Sequence, residues 1–338
     1  MSAVLRVAFA SAVRHAADYL RILAADDRVE LVGVVEEADA PGWVRDDSRA
    51  VAERAGVPYA EVADVAAVAE ALGSAVDLVV VCAEPTRHAR LAAALLEAGL
   101  DVLVDKPVAT TLADADHLVA VAARTGRTCA VVNRTHAPAL RRLRAWVDAG
   151  HVGLPRHMDL EFLASGAHFA TSVERPGLVV DRWLSGGGHL LTFLCYCADA
   201  AHHLTGLRTV AVHAFAGSLF IEPHREAGVE DTAVVTLELE RGVTATITLG
   251  RVPVAPGGTP TTSSVRLVGP HGHAVADGDA PAVARFSADG RTTIAADAGQ
   301  VAAAAYLRHV VGAVLAGGRP DYGIEEARAS LAVIDAAY

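Results

Sequence analysis

The sequence contains no apolar run long enough to cross a membrane. It lacks the roughly 20 uninterrupted apolar residues that a transmembrane helix needs, and Arg6 divides an early stretch that would otherwise resemble a signal peptide. Runs rich in lysine and arginine are also missing, and the formal net charge is −11. Because nucleic acids and anionic membrane surfaces attract basic proteins, we expect neither of them as a partner.

Cysteine pairs with zinc-type spacing are lacking as well. The four cysteines are Cys82, Cys129, Cys195 and Cys197. All of them lie in apolar segments without a CxxC pair, so we expect reduced core residues in a cytoplasmic protein. The pairs His202-His203 and His271/His273 have no acidic or cysteine partners at ligand spacing, and no metal site is predicted.

The first part of the chain alternates between strand-like and helix-like segments. Its 338 residues, of which 52% are hydrophobic and 20% charged, are enough for two domains with a large core. The strand-like runs are Val4–Phe9, Val29–Val35, Asp77–Cys82, Asp101–Asp105 and Cys129–Val132. Alternation with helices predicts an α/β, doubly wound, Rossmann-like domain over residues 1–128, with any ligand at the carboxyl ends of the parallel strands.

Residues 129–338 are predicted to form an α+β domain for substrate binding and oligomerisation, with a large, mostly antiparallel sheet. The predicted strands are Arg156–Ala164, Thr209–Ala216, Thr232–Glu240, Val243–Arg251 and Ser263–Val268. Glu240-Arg241-Gly242 is typical of a tight hairpin turn. One long helix follows the triple glycine at 186–188, two more helices close the chain, and Arg251–Thr262 is predicted to be a mobile loop.

The first predicted βαβ unit has the layout of a dinucleotide-binding site but not its glycines. Ser11, Val13 and Ala16 occupy the three positions of the glycine pattern, and Arg14 follows the middle one. A valine at that middle position places a branched side chain where the backbone normally approaches the pyrophosphate. Glu36 lies at the acidic position that holds ribose hydroxyls and favours NAD over NADP. Dinucleotide binding and a ligand-free βαβ unit both remain open.

Lys106 follows the fourth of these strands in the sequence Asp105-Lys106-Pro107, at the predicted crevice. The chain reads EPTRH at residues 84–88 and AALLEAGLDVLVDKP at residues 93–107. Together with the triple glycine and its helix, these segments resemble the glucose-fructose oxidoreductase/inositol dehydrogenase family over essentially the whole chain.

The resemblance implies an NAD(P)-dependent dehydrogenase acting on a sugar, polyol or related alcohol. It implies proton transfer by Lys106 and by a histidine of the triple-glycine helix, and substrate binding by an aspartate of that helix. In this chain Tyr196 stands at the histidine position and Thr192 at the aspartate position, while Asp199 matches. The cofactor-binding residues implied are Ser11, Val13, Arg14, Glu36, Pro85, His88 and Lys106.

The same helix carries polar residues at intervals of three and four. They are His189, Thr192, Tyr196, Asp199 and His203. This spacing puts them on one face, which lines a crevice or else is a solvated surface. We predict Tyr196 as an acid/base group beside Lys106, with His189 as a second candidate.

Three further residues are candidates for substrate binding. Arg134 follows the fifth strand, and Arg182 and Trp183 precede the triple glycine. The alternative for the last two is a structural salt bridge with a packed indole.

Three functions follow as hypotheses. The first is an NAD-dependent oxidoreductase in which Lys106 and Tyr196 are the altered acid/base groups. The second is a redox-neutral enzyme that uses the same crevice for elimination, hydration or cyclisation. The third is a non-catalytic binding or regulatory subunit. Fold alone does not decide between them. For the first two the partner is a small-molecule substrate, and the resemblance implies a homo-oligomer formed through the C-terminal sheet.

Overall fold

The computed structural model describes residues 4–166, 175–253, 261–277, 282–295 and 301–338. The chain forms two compact units, the first comprising Met1–Val132 and Leu307–Leu331 and the second Asn133–Tyr306 and Ala332–Tyr338. This division differs from the predicted one, in which residues 307–331 belong to the second domain. This segment joins the first unit through a bridge between Ala130 and Gly323 and an ion pair between Arg328 and Asp116.

The first unit is built on a six-stranded parallel sheet. Its strands are β1 (Leu5–Ala12), β2 (Val29–Glu37), β3 (Tyr59–Val62), β4 (Leu78–Cys82), β5 (Asp101–Val104) and β6 (Cys129–Val131), in the order β3-β2-β1-β4-β5-β6. Its helices include α1 (Ala16–Ala24), α2 (Gly42–Ala55), α3 (Val68–Leu72), α4 (Pro85–Glu97) and α5 (Leu112–Thr125). The order reverses between β1 and β4, and the carboxyl ends of the strands at such a switch point form a ligand crevice.

The second unit contains an eight-stranded sheet. Its strands are β7 (His157–Ser165), β8 (Thr209–Gly217), β9 (Thr232–Leu239), β10 (Val243–Val252), β11 (Thr261–Gly269), β12 (Gly272–Asp277), β13 (Ala282–Ser287) and β14 (Gly290–Ala295), in the order β14-β13-β12-β11-β7-β10-β9-β8. Only the pairing of β7 with β10 is parallel among the pairs formed by the described residues. The predicted fold class is therefore confirmed.

The helices of the second unit lie between and beside these strands. They are α6 (Pro138–Asp148), α7 (Gly177–Val180), α8 (Arg182–Ser185), α9 (His189–Thr205) and α10 (Glu222–Ala227). Two last helices, α11 (Val301–Leu315) and α12 (Ile324–Ala337), contribute to both units.

Alternation along β9 and β10 creates the core of the second sheet. Every second side chain is buried, as the strand period of two requires, and the residues are Ala233, Val235, Leu237, Leu239, Val243, Ala245, Ile247 and Leu249. Helix α9 packs against β10 and β7. The predicted turn at 240–242 joins β9 to β10 and is confirmed, with positive φ at both Arg241 and Gly242.

Among the described residues, no helix has the length and apolar character needed to span a membrane. The predicted loop Arg251–Thr262 lies mainly outside the described residues, while its ends belong to β10 and β11.

Candidate active site

The turn between β1 and α1 forms without glycine. Ser11 and Arg14 adopt positive φ angles of 61° and 54°, a conformation that costs a residue with a β-carbon about 1–2 kcal/mol. Val13 is buried, and its N–H donates to the Cys82 carbonyl at 2.9 Å. The chain thus turns tightly here with Ser11 and Val13, both buried, at two of the predicted glycine positions.

Glu36, at the end of β2, is only 1% exposed, and contacts from within the protein surround its carboxylate. Its Oε2 accepts a hydrogen bond from the Ser48 hydroxyl at 2.9 Å. Its Oε1 accepts from the Glu37 N–H at 3.0 Å and from two nitrogens of Arg87 at 3.1 Å each. The predicted ribose acceptor is therefore bound by protein groups.

Arg87, in the first turn of α4, was not predicted as a site residue. Its guanidinium donates to Glu84 at 2.8 Å and to Glu37 at 2.8 Å, besides its contacts with Glu36. It also lies 3.4 Å from the Ser11 hydroxyl. Burial opposes its charged form, but the carboxylates outweigh burial and raise the Arg87 pKa further. The spacing of Glu84 and Arg87 at i and i+3 after a strand was the available sequence signal.

Arg90 completes this cluster from the next turn of α4. Both of its terminal nitrogens donate to Glu37. Burial raises the pKa of Glu37, but hydrogen bonds from Arg90 and Arg87 outweigh burial, and the net pKa is lowered. The three carboxylates of Glu36, Glu37 and Glu84 thus face two guanidinium groups, which leaves one negative charge.

Asp105, directly after β5, is fully buried and tied to helix α1. One carboxylate oxygen lies 2.8 Å from His15 Nδ1, and the other accepts from the Tyr19 hydroxyl at 2.8 Å. Burial opposes the charged form of Asp105, but His15, Arg14 and His88 outweigh it and hold the Asp105 pKa far below its ordinary value. This carboxylate fixes the position of the chain immediately before Lys106.

Lys106 is buried and is the only lysine in the chain. Its peptide bond to Pro107 is cis. His88 lies beside this turn, with Nδ1 at 2.7 Å from the Pro107 carbonyl and Nε2 at 2.9 Å from the Ala83 carbonyl. Pro85, predicted with His88 to bind cofactor, begins α4. His88 thus lies against two backbone carbonyls, one of which belongs to the residue directly after Lys106.

In the second unit, helix α9 begins directly after the triple glycine at 186–188. A β-carbon on Gly188 would lie 2.2 Å from the Glu230 carbonyl oxygen. The Glu230 carboxylate accepts the Leu190 N–H at 3.0 Å and the Tyr338 hydroxyl at 2.6 Å. A carboxylate stabilises the positive end of a helix, so glycine at this position makes room for a helix cap.

The polar face of α9 is not a solvated surface. His189, Thr192 and Asp199 are buried, while Tyr196 and His203 are half-buried. The interpretation of this face as solvent-exposed is therefore wrong.

His189 is held by neighbours on both ring nitrogens. Nε2 accepts a hydrogen bond from Arg251 Nε at 3.1 Å, which assigns the proton to Nδ1, 3.2 Å from the Thr192 hydroxyl. The ring also stacks on Phe193 at 4.2 Å between centroids. Because Arg251 occupies its basic nitrogen, His189 accepts a proton only if that contact opens. Arg251 was not predicted as a site residue.

Arg134 and Tyr196 are brought together. The Arg134 guanidinium lies 4.4 Å from the centre of the Tyr196 ring and 4.7 Å from that of Phe162. Arg182 and Trp183 belong to the short helix α8, and the Trp183 indole is 81% exposed. The interpretation of Trp183 as a packed indole is therefore wrong.

The four cysteines are buried and form no disulfide, as predicted. Burial raises the pKa of Cys129 to about 12, which keeps this thiol protonated.

Two family models match most of the chain. Residues 5–133 match the oxidoreductase family with an NAD-binding Rossmann fold, GFO_IDH_MocA, and residues 140–275 match the GFO/IDH/MocA C-terminal domain.

The chain is also similar in sequence to individual oxidoreductases and dehydrogenases. Over 213 residues the chain is 25% identical to the uncharacterized oxidoreductase YrbE of Bacillus subtilis, covering 63% of this chain and 58% of YrbE. Over 176 residues it is 27% identical to myo-inositol 2-dehydrogenase of Thermotoga maritima, covering 51% and 49%. The matches span about half to two thirds of the lengths of these curated relatives.

The aldose-aldose oxidoreductase of Caulobacter crescentus, solved with glycerol, is similar in structure. Its TM-score is 0.80 at 22% identity, over 99% of this chain and 96% of that one. At this identity the similarity establishes the fold.

Proposed function

We propose that the chain, which belongs to the GFO/IDH/MocA oxidoreductase family, is an NAD-dependent oxidoreductase acting on a sugar, polyol or related small metabolite. The observation that carries the proposal lies within the first unit. Glu36 at the end of β2 and the only lysine, directly after β5, occupy the same carboxyl edge of one parallel sheet. Ligands of doubly wound sheets bind at this edge.

NAD fits the charges at this edge better than NADP. Glu36 stands at the position that accepts ribose hydroxyls, and Glu37 and Glu84 lie beside it. The additional phosphate of NADP would meet a cluster that already carries one excess negative charge. When bound, the oxidised nicotinamide would accept a hydride from the substrate, and the reduced nicotinamide would donate one.

Lys106 and Tyr196 are proposed as the groups that transfer the proton of the substrate hydroxyl. A lysine ammonium and a tyrosine hydroxyl both donate protons, and both accept them when deprotonated. Asp105 and His88 support the turn that carries Lys106. Arg134, stacked on the Tyr196 ring, supports the orientation of this tyrosine.

The substrate is proposed to contact Arg134, Thr192, Asp199, Arg182 and Trp183. Most of these side chains form hydrogen bonds with hydroxyl groups, and the exposed indole of Trp183 offers an apolar face to the carbon atoms of a sugar ring. The names of two similar proteins, a myo-inositol 2-dehydrogenase and an aldose-aldose oxidoreductase, support this substrate class.

Calorimetric titration of the cofactor-stripped protein with NAD, NADH, NADP and NADPH tests the proposal. We expect NAD or NADH to bind more tightly than the phosphorylated forms. Turnover of a sugar and polyol panel should then change the absorbance of the reduced nicotinamide. If none of the four dinucleotides binds at millimolar concentration, the proposal is overturned.

A redox-neutral lyase, hydratase or cyclase is a second candidate. It is favoured by two observations at this edge of the sheet: a buried Val13 stands at the middle glycine position, and Arg87 is paired with Glu36. Turnover of a substrate without any change in nicotinamide absorbance would establish this alternative.

We also propose that the chain assembles with copies of itself through the second sheet. Strand β8 ends this sheet and has no charged residue, and its Phe215 is 73% exposed. The Asp231 carboxylate accepts the N–H groups of Leu219 and Phe220 and so holds two more exposed apolar side chains in place. An open, uncharged edge strand invites pairing with another chain.

A further inference from the structure

Arg87 lies where the ribose of a dinucleotide would meet Glu36. In a Rossmann unit the acidic residue at the end of the second strand accepts hydrogen bonds from the ribose hydroxyls. Here two nitrogens of Arg87 bind Glu36 Oε1 at 3.1 Å. The same guanidinium lies 3.4 Å from the hydroxyl of Ser11, which occupies the first glycine position. The arginine therefore extends across the end of β1, between the turn and the acidic residue.

The Glu36 carboxylate has little capacity left for another ligand. Each carboxylate oxygen has two acceptor sites, and Oε1 already receives Glu37 N–H and two Arg87 N–H groups. Oε2 receives the Ser48 hydroxyl, which in turn accepts the Ala12 N–H at 2.9 Å. With 1% of Glu36 exposed, a ribose reaches it only when one of these groups moves.

Of these groups, the side chain of Arg87 is the one able to move without disturbing the sheet. Ser48 is joined to the backbone of β1, and the Glu37 N–H belongs to β2. Arg87, by contrast, keeps Glu84 as a partner directly before its own helix, at 2.8 and 3.0 Å. Glu37 remains paired with Arg90 if Arg87 withdraws. Arg87, Glu84, Glu37 and Arg90 would thus each keep an ion-pair partner. The Glu36 carboxylate would lose its ion pair and could accept hydrogen bonds from the ribose hydroxyls.

We propose that Arg87 is an internal competitor of the ribose, so that NAD binds by exchanging the Arg87–Glu36 contact for ribose hydroxyl–Glu36 hydrogen bonds. The inference rests on the proposed NAD-dependent function and identifies the residue that sets its affinity for the cofactor. An ion pair between two charged groups is given up for hydrogen bonds in which only the Glu36 carboxylate is charged, so the attraction between the two charges is lost. The exchange therefore weakens NAD binding relative to a site in which Glu36 is accessible.

The test is a double variant that removes the competitor without changing the net charge. In Glu84→Gln/Arg87→Gln, one carboxylate and one guanidinium are replaced by amides. Glu37 keeps Arg90, and Glu36 keeps Ser48. Calorimetric titration should give an NAD dissociation constant at least about tenfold lower than that of the wild type, equivalent to about 1.4 kcal/mol. Thermal unfolding and circular dichroism establish that the variant is folded.

Arg90→Gln is the matched protein control. It removes a cation from the same cluster and helix but leaves Arg87 on Glu36, and it should not tighten NAD binding. Nicotinamide mononucleotide is the matched ligand control, because it lacks the adenosine ribose. Its affinity should be the same for the wild type and the double variant. If the double variant does not fold, Arg87→Lys keeps the charge, loses the two-nitrogen contact, and should tighten NAD binding by a smaller factor.

Different results separate this inference from the function on which it rests. If the wild type binds NAD and a folded variant binds it no more tightly, Arg87 is not a competitor, and the proposed function stands. An equal gain in Arg90→Gln would likewise overturn the inference, because it would assign the effect to charge alone. If neither protein binds any dinucleotide, both the proposed function and the inference fail.

Discussion

At the scale of single residues, Lys106 differs from the other cationic side chains of the chain. Lys106 is the only lysine of the chain, and every other residue of the Lys/Arg type is arginine. An arginine stays protonated near neutral pH, whereas lysine can give up its proton. This difference is the physical reason to expect proton transfer rather than charge alone from Lys106.

Replacing Lys106 by Met should therefore abolish most of the turnover. General acid/base groups contribute about 10²- to 10⁴-fold in rate, and we expect a loss of this size in kcat measured by steady-state kinetics. Lys106→Arg is the matched control, because it keeps the positive charge and should be similarly impaired. Tyr196→Phe should lower kcat while the ring remains stacked under Arg134. Wild-type turnover by Lys106→Met would exclude this lysine from the chemistry.

The Asp105 carboxyl group should make the free energy of unfolding depend on pH. Its pKa is lowered in the folded state, so its stabilisation is present above the ordinary carboxyl pKa of about 4 and is lost as the pH falls below it. Asp105→Asn should reduce the free energy of unfolding by about 3 kcal/mol at pH 7, since it removes a buried carboxylate that is hydrogen-bonded to Tyr19 and His15. The difference from the wild type should shrink toward pH 3 in urea titrations.

Asp18→Asn is the matched control for this prediction. Asp18 is exposed and forms an ion pair with Arg21, one turn further along the same helix. Its loss should change stability by less than about 0.5 kcal/mol. An Asp105→Asn difference that stays constant from pH 7 to pH 3 would contradict the assignment of the lowered pKa.

At the scale of elements, the start of α9 depends on the absence of a side chain at Gly188. Gly188→Ala would place its β-carbon 2.2 Å from the carbonyl oxygen of Glu230, and relief requires a shift of the backbone. We expect a loss of about 1–3 kcal/mol, which is typical of overpacking, in denaturant unfolding. We also expect kcat to fall under conditions in which the variant is fully folded, because α9 carries the proposed site residues Thr192, Tyr196 and Asp199.

Gly177→Ala provides the comparison in another helix of the same unit. A β-carbon there meets no atom within 4 Å, and alanine is the better helix former by about 1 kcal/mol. This variant should be as stable as the wild type or more stable. Equal losses in the two variants would show that close approach of Glu230 is not the cause.

At the scale of the whole molecule, the exposed apolar residues near β8 predict self-association. Phe215→Glu adds a charge next to Val234, which is itself 45% exposed and lies opposite Phe215 on β9. We expect this variant to have a lower molecular mass than the wild type in analytical ultracentrifugation over a range of concentrations. Burying an unpaired charge in an interface costs several kcal/mol.

Ile294→Glu is the control at the opposite end of the same sheet. Ile294 lies on β14 and is 36% exposed. Its replacement should leave the molecular mass unchanged if β8 is the contact surface. A wild-type protein that is monomeric at all concentrations would overturn the proposed assembly.

The order of helices and strands was largely predictable because it depends on local patterns. Val-rich runs between helical periods predicted the parallel sheet, and alternation predicted the two strands on either side of Arg241. Strand β3 and strands β12 to β14 were missed because they lack Val-rich runs. They contain glycine, alanine and charged residues, which are depleted in strands. The start of α9 was correctly predicted from the glycines that precede it. The close approach of Glu230, which requires glycine at position 188, was not predicted.

The sequence by itself determined the fold class, the family resemblance and the positions of Lys106 and Glu36 at strand ends, because side-chain periodicity and chain direction are local properties. Only the tertiary structure decided the partners of these residues. Arg87 reaches Glu36 across 51 positions of sequence, and His15 reaches Asp105 across 90. Such pairs form because the strand order β3-β2-β1-β4-β5-β6 brings distant strand ends to one edge. Ion pairs depend on distance in space, which local periodicity does not encode.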